Sequence, residues 1–243
     1  MAKLDKISLS NMRTLFYCIL ISFLGISCNK TEDASLPDLS MNFTFEDGFQ
    51  GWIAGMSDFP SHWDPAGLEF SSEHASLPAE MDHEGKAIKL SGRNISDDMF
   101  MFLKREISGL KANHTYSVLF DIQIASQYPT ESFGIGGSPG NSVYLKAGGS
   151  KIEPMVIDED GMFLININKG DQSQEGNDMK VLGTIGIPGE EFIYTLINRT
   201  NSDKPIQITT DEAGKLWVII GTDSGFEGIT TLYYNNINIT LEE

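Results

Sequence analysis

Cysteine is nearly absent. The 243 residues hold two, Cys18 and Cys28, both near the N-terminus. The rest of the chain can therefore form no internal disulfide and no cysteine-based zinc or redox centre. Basic residues are also scarce: 17 Lys and Arg stand against 34 Asp and Glu, a net charge of −17. Such a surface repels phosphate backbones and anionic headgroups, which excludes nucleic acid and direct headgroup binding. It stays compatible with neutral sugars, cations and basic proteins. One long apolar run occurs, Leu15 to Ile26, and it is short for a membrane span. No stretch sustains a 3.6-residue apolar period, so long amphipathic helices are excluded. The Gly-x-Ser-x-Gly elbow of serine hydrolases is missing, as is a helical His pair four residues apart.

The first residues read as a targeting signal. Lys3, Lys6 and Arg13 precede the apolar run, which ends in Leu24-Gly25-Ile26-Ser27-Cys28. Small residues before a Cys resemble the lipobox of bacterial lipoproteins, in a form typical of Bacteroidetes-like sequences. The resemblance implies a signal peptide over 1–27, a diacylglycerol on Cys28, and a lipid-anchored place in the cell envelope. The implied place is the outer membrane, with exposure on the cell surface left open, and the implied membrane contact is through the lipid alone. A plain cleaved signal or an uncleaved anchor are the alternatives. The polar stretch 28–40 reads as a flexible tether, and 41–243 as a single β domain.

Asn42 to Trp52 (NFTFEDGFQGW) opens that domain. Phe43 and Phe45 alternate with Thr44 and Glu46, which predicts a half-buried strand, and Asp47-Gly48 supplies a turn. Trp52 to Glu84 reads as loops with one short strand near Leu68 to Ser71. Further strands are predicted at Lys86–Ser91, Met99–Ile107, His114–Ala125 and Ser142–Lys146. Ile152–Ile157 and Met162–Ile167 form a hairpin across Asp158-Glu159-Asp160-Gly161. Val181–Ile187 and Phe192–Ile197 lie about Pro188-Gly189, and Lys215–Gly221 and Thr230–Leu241 complete the set. Met99–Ile107 is apolar on both faces at first, which predicts a central strand. Many short strands between Gly, Asp and Asn turns predict an all-β sandwich or barrel.

Three pieces, in order, resemble the galactose-binding-like jelly-roll carbohydrate-binding modules. They are FTFEDGFQGW, the turn and strand Gly109-Leu110-Lys111-Ala112-Asn113-His114-Thr115-Tyr116-Ser117-Val118, and the closing Leu232-Tyr233-Tyr234-Asn235-Asn236-Ile237. The resemblance implies an antiparallel β-sandwich of jelly-roll type whose first and last strands lie side by side. It also implies sugar binding and a structural calcium held by Glu46 and the closing pair at Asn235. That pair is neutral where the family carries acids, which supplies less charge to a cation. Ser126 to Ser202 exceeds the usual connections and is expected to be an extra β insertion. GGSPGNSVYLKAG and GTDSGFEGITTLYY are similar to an uncharacterised family of bacterial secreted proteins and lipoproteins.

Other constellations carry less chemistry. The GIGGSPG loop lacks a following Lys-Ser/Thr and a helix, so turn geometry accounts for it. His62, Asp64, His74 and His83 match no zinc spacing. Asp223 and Glu227 flank Ser224 without a His partner and read as a turn before the last strand. Trp52 and Trp217 sit in apolar context and are expected in the core. Trp63, Tyr128 and Tyr144 lie in or beside loops, where aromatic faces stack on sugar rings. The reading is a non-catalytic, envelope-anchored binding lipoprotein for a glycan, with no enzyme activity. The alternatives are a structural lipoprotein that holds an envelope or extracellular protein, and a secreted glycan-active hydrolase.

Overall fold

The computed structural model describes residues 39–95 and 98–243. Cys28, the signal and nearly all of the tether lie outside them. Strands are numbered in chain order: β1 Leu39–Phe43, β2 Ile53–Ser57, β3 Phe59–Pro60, β4 Ser71–Ser76, β5 Lys86–Asn94, β6 Met99–Ile107, β7 Thr115–Ser126, β8 Val143–Ser150, β9 Val156–Glu159, β10 Met162–Ile165, β11 Met179–Thr184, β12 Thr195–Thr200, β13 Ile206–Thr209, β14 Leu216–Ser224 and β15 Gly228–Glu242.

The protein is all-β and antiparallel, a β-sandwich. One sheet runs β12-β7-β15-β5-β4, with β1 added to β15 and β13 to β7. The facing sheet runs β11-β8-β14-β6-β2. A small sheet, β3-β10-β9, is separate from both. The first and last strands pair as expected, from Leu39 opposite Leu241 to Phe43 opposite Ile237.

Alternation explains the core. Tyr116, Val118, Phe120, Ile122 and Ile124 of β7 point inward and are buried, while Asp121 on the same strand is exposed. They meet Leu103, Leu145, Val218 and Ile220 from the facing sheet in one continuous cluster. Each such side chain, fully buried, contributes about 1.5–3 kcal/mol. Strand β6 lies between β14 and β2 and is apolar on both faces for a reason. Met99, Met101 and Leu103 enter the main core. Phe100 and Phe102 face the other way, into a second cluster with Ile165, Ile167, Met179 and Ile219. The 152–167 segment supplies that cover, so the expected insertion is partly a lid over one sheet. Strand β8, in contrast, is an integral member of the sheet.

Several expectations are corrected. The opening strand ends at Phe43. Phe45 adopts φ +61 and leaves the ladder, although both rings are buried. Its backbone is held by side chains instead: its N–H donates to Gln50 Oε1 at 3.3 Å and its carbonyl meets His74 Nε2 at 2.7 Å. The strand expected near residue 68 begins at Ser71, after a 3-10 turn over Pro65–Leu68 whose first turn Asp64 caps. The strands about Pro188-Gly189 belong to different sheets, so that turn carries the chain across the sandwich. Trp217 is only half-buried and lies outside the main core, with Lys104 Nζ 5.3 Å from its ring centre.

Candidate functional site

The register of β15 shifts once. Tyr234 pairs with Ile124 and Asn236 with Gln123, so Asn235 is an extra residue, a β-bulge. A bulge re-aims side chains locally. Here it places two consecutive half-buried asparagines between buried Tyr234 and buried Ile237. Asn235 Nδ2 donates to Gln123 Oε1 at 2.7 Å, and Asn236 Nδ2 donates to Asn42 Oδ1 at 2.8 Å. Gln123 Nε2 in turn donates to Asn198 Oδ1 on β12 at 3.1 Å. A row of side-chain amides thus crosses β12, β7, β15 and β1, beside exposed Asp121.

The row floors a cavity of about 270 Å³, lined also by Thr44, Glu46 and His83. Glu46 and His83 also line a broader hollow of about 950 Å³ formed with residues 76–86. Asp121 continues into a third depression with Asn238 and Thr240. Behind Leu77 and Met81 of the broader hollow, Tyr194 and Tyr233 meet edge to face with centroids 5.3 Å apart. They pack with Leu77, Ala87, Ala125 and Leu196, and burial raises both phenol pKa values above the ordinary range.

Glu46 and Asn235, named from the sequence as calcium ligands, come together here. A Cβ placed on Gly85 would lie 3.3 Å from Glu46 Oε1 and 3.8 Å from Asn235 Oδ1. Any side chain at that position would crowd this convergence. Glu46 Oε1 also accepts from the Lys86 N–H at 3.3 Å. Glu46, Asp121 and the amide oxygens are the kind of hard oxygen donors that calcium takes.

The aromatic residues named from the sequence do not join this face. Tyr128 is buried, 6% exposed, and its hydroxyl donates to Ile229 O at 3.2 Å and accepts from Thr231 N at 2.8 Å. It is a core tyrosine and offers no open face for stacking. Tyr144 lies on β8 of the other sheet, half-buried. Trp63 follows β3 and is half-buried, with His62 set edge-on to its ring at 6.4 Å. Gln123, Asn198 and Tyr194 were missed. The one available signal was the Asn235-Asn236 pair, which interrupts the apolar alternation of the closing strand.

The opposite sheet hides a charge cluster. Asp223 is fully buried at the end of β14, not in a turn. Its Oδ2 accepts from Lys146 Nζ and Lys169 Nζ, both at 2.8 Å, and from Gln172 N at 2.9 Å. Lys169 Nζ also lies 2.7 Å from Asp58 Oδ2. Carboxylate oxygens of Asp58, Asp98 and Asp223 all fall within 4.8 Å of one another. The Lys169 ammonium bridges Asp58 and Asp223. Burial lowers the Lys146 pKa, partly offset by Asp223. Burial also pulls on Lys169, but Asp223 and Asp58 outweigh it and its pKa rises. Desolvation, reinforced by Asp223 and Asp58 against the pull of Lys169, raises Asp98 to about 7. Three carboxylates share two ammonium groups, and the excess negative charge adds to the rise that desolvation causes at Asp98.

No protein-family model matches the sequence. No curated protein matches it either. Among solved structures, the chain is similar to one described under the promiscuous specificity of carbohydrate-binding modules from the β-sandwich superfamily. That match has 13% identity and a TM-score of 0.39, and covers 79% of this chain and 58% of the other. The chain thus spans less than two thirds of that protein's length. The K1 cleaved adhesin domain of Lys-gingipain from Porphyromonas gingivalis is similar at 8% identity and a TM-score of 0.39, covering 83% and 97%. A family 11 carbohydrate-binding module from Clostridium thermocellum, in complex with a β-1,3-1,4-mixed-linked tetrasaccharide, is similar at 9% identity and a TM-score of 0.38, covering 84% and 96%. At such identities and TM-scores the likeness carries no information on ligand.

Proposed function

We propose that the protein is a non-catalytic binding protein that takes a neutral glycan on the amide face of β12, β7, β15 and β1. One observation carries this reading: Gln123, Asn198, Asn235 and Asn236 stand in a single row on one open sheet face. Each amide is both donor and acceptor, as each sugar hydroxyl is, so the two can exchange paired bonds. The Tyr194–Tyr233 pair adds an apolar surface for ring C–H groups. Net negative charge favours neutral over anionic sugars. A calcium between Glu46 and Asn235 would order the floor of the cavity and belongs to the same proposal. So does anchoring in the bacterial envelope through a lipid on Cys28.

The test is a glycan array of plant, host and microbial oligosaccharides, probed with the full chain. Saturable hits that Asn198→Ala and Gln123→Ala both weaken are expected. A blank array, or hits that neither substitution alters, overturns the assignment.

A further inference from the structure

A second surface lies at one end of the sandwich, built by the turns 128–141, 187–193 and 225–229. Phe133 is 98% exposed, Ile135 71% and Phe192 55%, with Ile193 and Ile229 also exposed. Phe133 and Phe192 face a hollow of about 460 Å³, together with Pro129, Glu131, Ser132 and Glu190. Ile135 is bridged to Glu227, which brings the third turn to the same end. Phe192 rests edge-on to Tyr128 at 6.4 Å, so it stands on the core. Exposed apolar residues gathered in this way mark an interaction surface more often than a solvated one.

Within the three turns the charge is of one sign, and the arginines beside them are engaged: Arg93, opposite Ile229, with Glu69 at 2.7 Å, and Arg199 with the carbonyls of Thr184 and Gly186. Residues 127–142, 185–193 and 225–232 contain Glu131, Glu190, Glu191 and Glu227, and no Lys or Arg. Among the side chains that line the hollow, the hydrogen-bonding groups are two carboxylates and Ser132. The Ser132 hydroxyl already donates to Pro129 O at 2.5 Å. Carboxylates accept and do not donate. A glycan needs both, which the amide face supplies and this end does not. An isologous dimer would set the glutamates of two copies against each other. An anionic membrane leaflet would be repelled in the same way.

We infer that this end docks a protein segment that presents an apolar side chain flanked by lysine or arginine. The apolar side chain fills the hollow between Phe133 and Phe192. The flanking cations meet Glu131 and Glu190, whose unshared acceptors match ammonium or guanidinium donors. The hollow shares no lining residue with the amide-row cavity, although Phe192 and Ile193 lead directly into Tyr194, and the inference does not depend on glycan binding.

The experiment measures binding of three labelled peptides to the full chain by fluorescence polarisation. They are Lys-Lys-Leu-Phe-Lys-Lys, the same with Glu in place of Lys, and the same with Ser in place of Leu and Phe. Only the first is expected to bind saturably, with the others weaker by about ten-fold or more. Phe133→Ser is expected to remove that preference at unchanged melting temperature, because the ring is almost wholly in solvent. Glu131→Gln with Glu190→Gln is expected to flatten the salt dependence. Equal binding of the Ser-centred peptide would reduce the effect to bulk charge and overturn the proposal. So would binding that Phe133→Ser leaves unaltered, no peptide binding at all, or glycan-array hits abolished by Phe133→Ser.

Discussion

The side-chain amide of Asn235 donates to the Gln123 carbonyl at 2.7 Å across β15 and β7, while the Asn235 carbonyl oxygen lies on the side of Gly85 and Glu46. One bulge residue thus connects the amide row to the carboxylate at the chain's opening turn. Removing Gln123 should disturb both. Gln123→Ala is expected to weaken glycan binding by about ten-fold, the equivalent of one or two hydrogen bonds. Asn238→Ala, further along β15, should cost less. Isothermal titration with an array hit would measure both.

Calcium is expected to raise the melting temperature and EDTA to lower it. At about 100 times the dissociation constant a ligand adds about 2.7 kcal/mol. Glu46→Gln should abolish the response, because it removes the charge that Asn235 lacks. A thermal scan that is the same in calcium and in EDTA would remove the ion from the site.

Tyr128→Phe separates a core role from a sugar-stacking one. It deletes the bonds to Ile229 O and Thr231 N but keeps the ring. Stability should fall by about 1–2 kcal/mol in urea denaturation. Glycan affinity should not move.

Asp98 makes stability depend on pH. Its folded pKa is raised to about 7, above the ordinary aspartate value. Below about pH 4 the folded and unfolded chains both hold the proton, and the contribution is whole. Between about pH 4 and pH 7 only the folded chain holds it, so stability from this group falls as pH rises. Asp98→Asn imitates the protonated form beside Asp58, Asp171, Asp223 and Lys169. Its melting temperature should exceed that of the parent at pH 8, and the gap should close towards pH 4. A gap that is constant with pH would refute the assignment.

Lys169→Met leaves Asp58 and Asp223 without their shared ammonium. Breaking a buried pair from one side costs about 3–5 kcal/mol. The variant should be strongly destabilised in urea, and restoring a cation with Lys169→Arg should recover part of the loss.

Much of the fold was legible because alternation is a local signal. His114–Ala125 writes its inward face as Tyr116, Val118, Phe120, Ile122 and Ile124, and each is buried. The double-sided apolarity of Met99–Ile107 marked a central strand, and β6 has neighbours on both edges. Turn positions were less legible. Phe45 continues the alternation but sits at φ +61, held by Gln50 and His74. A side chain five residues away and another 29 away decide that conformation, and neither is visible in the local pattern.

The site divides in the same way. Composition alone determined that the protein is poor in cysteine and acidic, and periodicity alone that it is built of strands. The Glu46–Asn235 proximity was legible through the ordering of the first and last motifs. The amide row was not, because Asn198 and Asn236 lie 75 and 113 residues from Gln123 and meet it only through strand pairing. Asp223 looked like a turn residue until Lys146 and Lys169 were brought to it from 77 and 54 residues away. A carboxylate's meaning depends on which charges desolvate with it, and only tertiary structure sets that. Tyr128 shows the converse: the sequence placed an aromatic beside a loop, and packing turned its face inward.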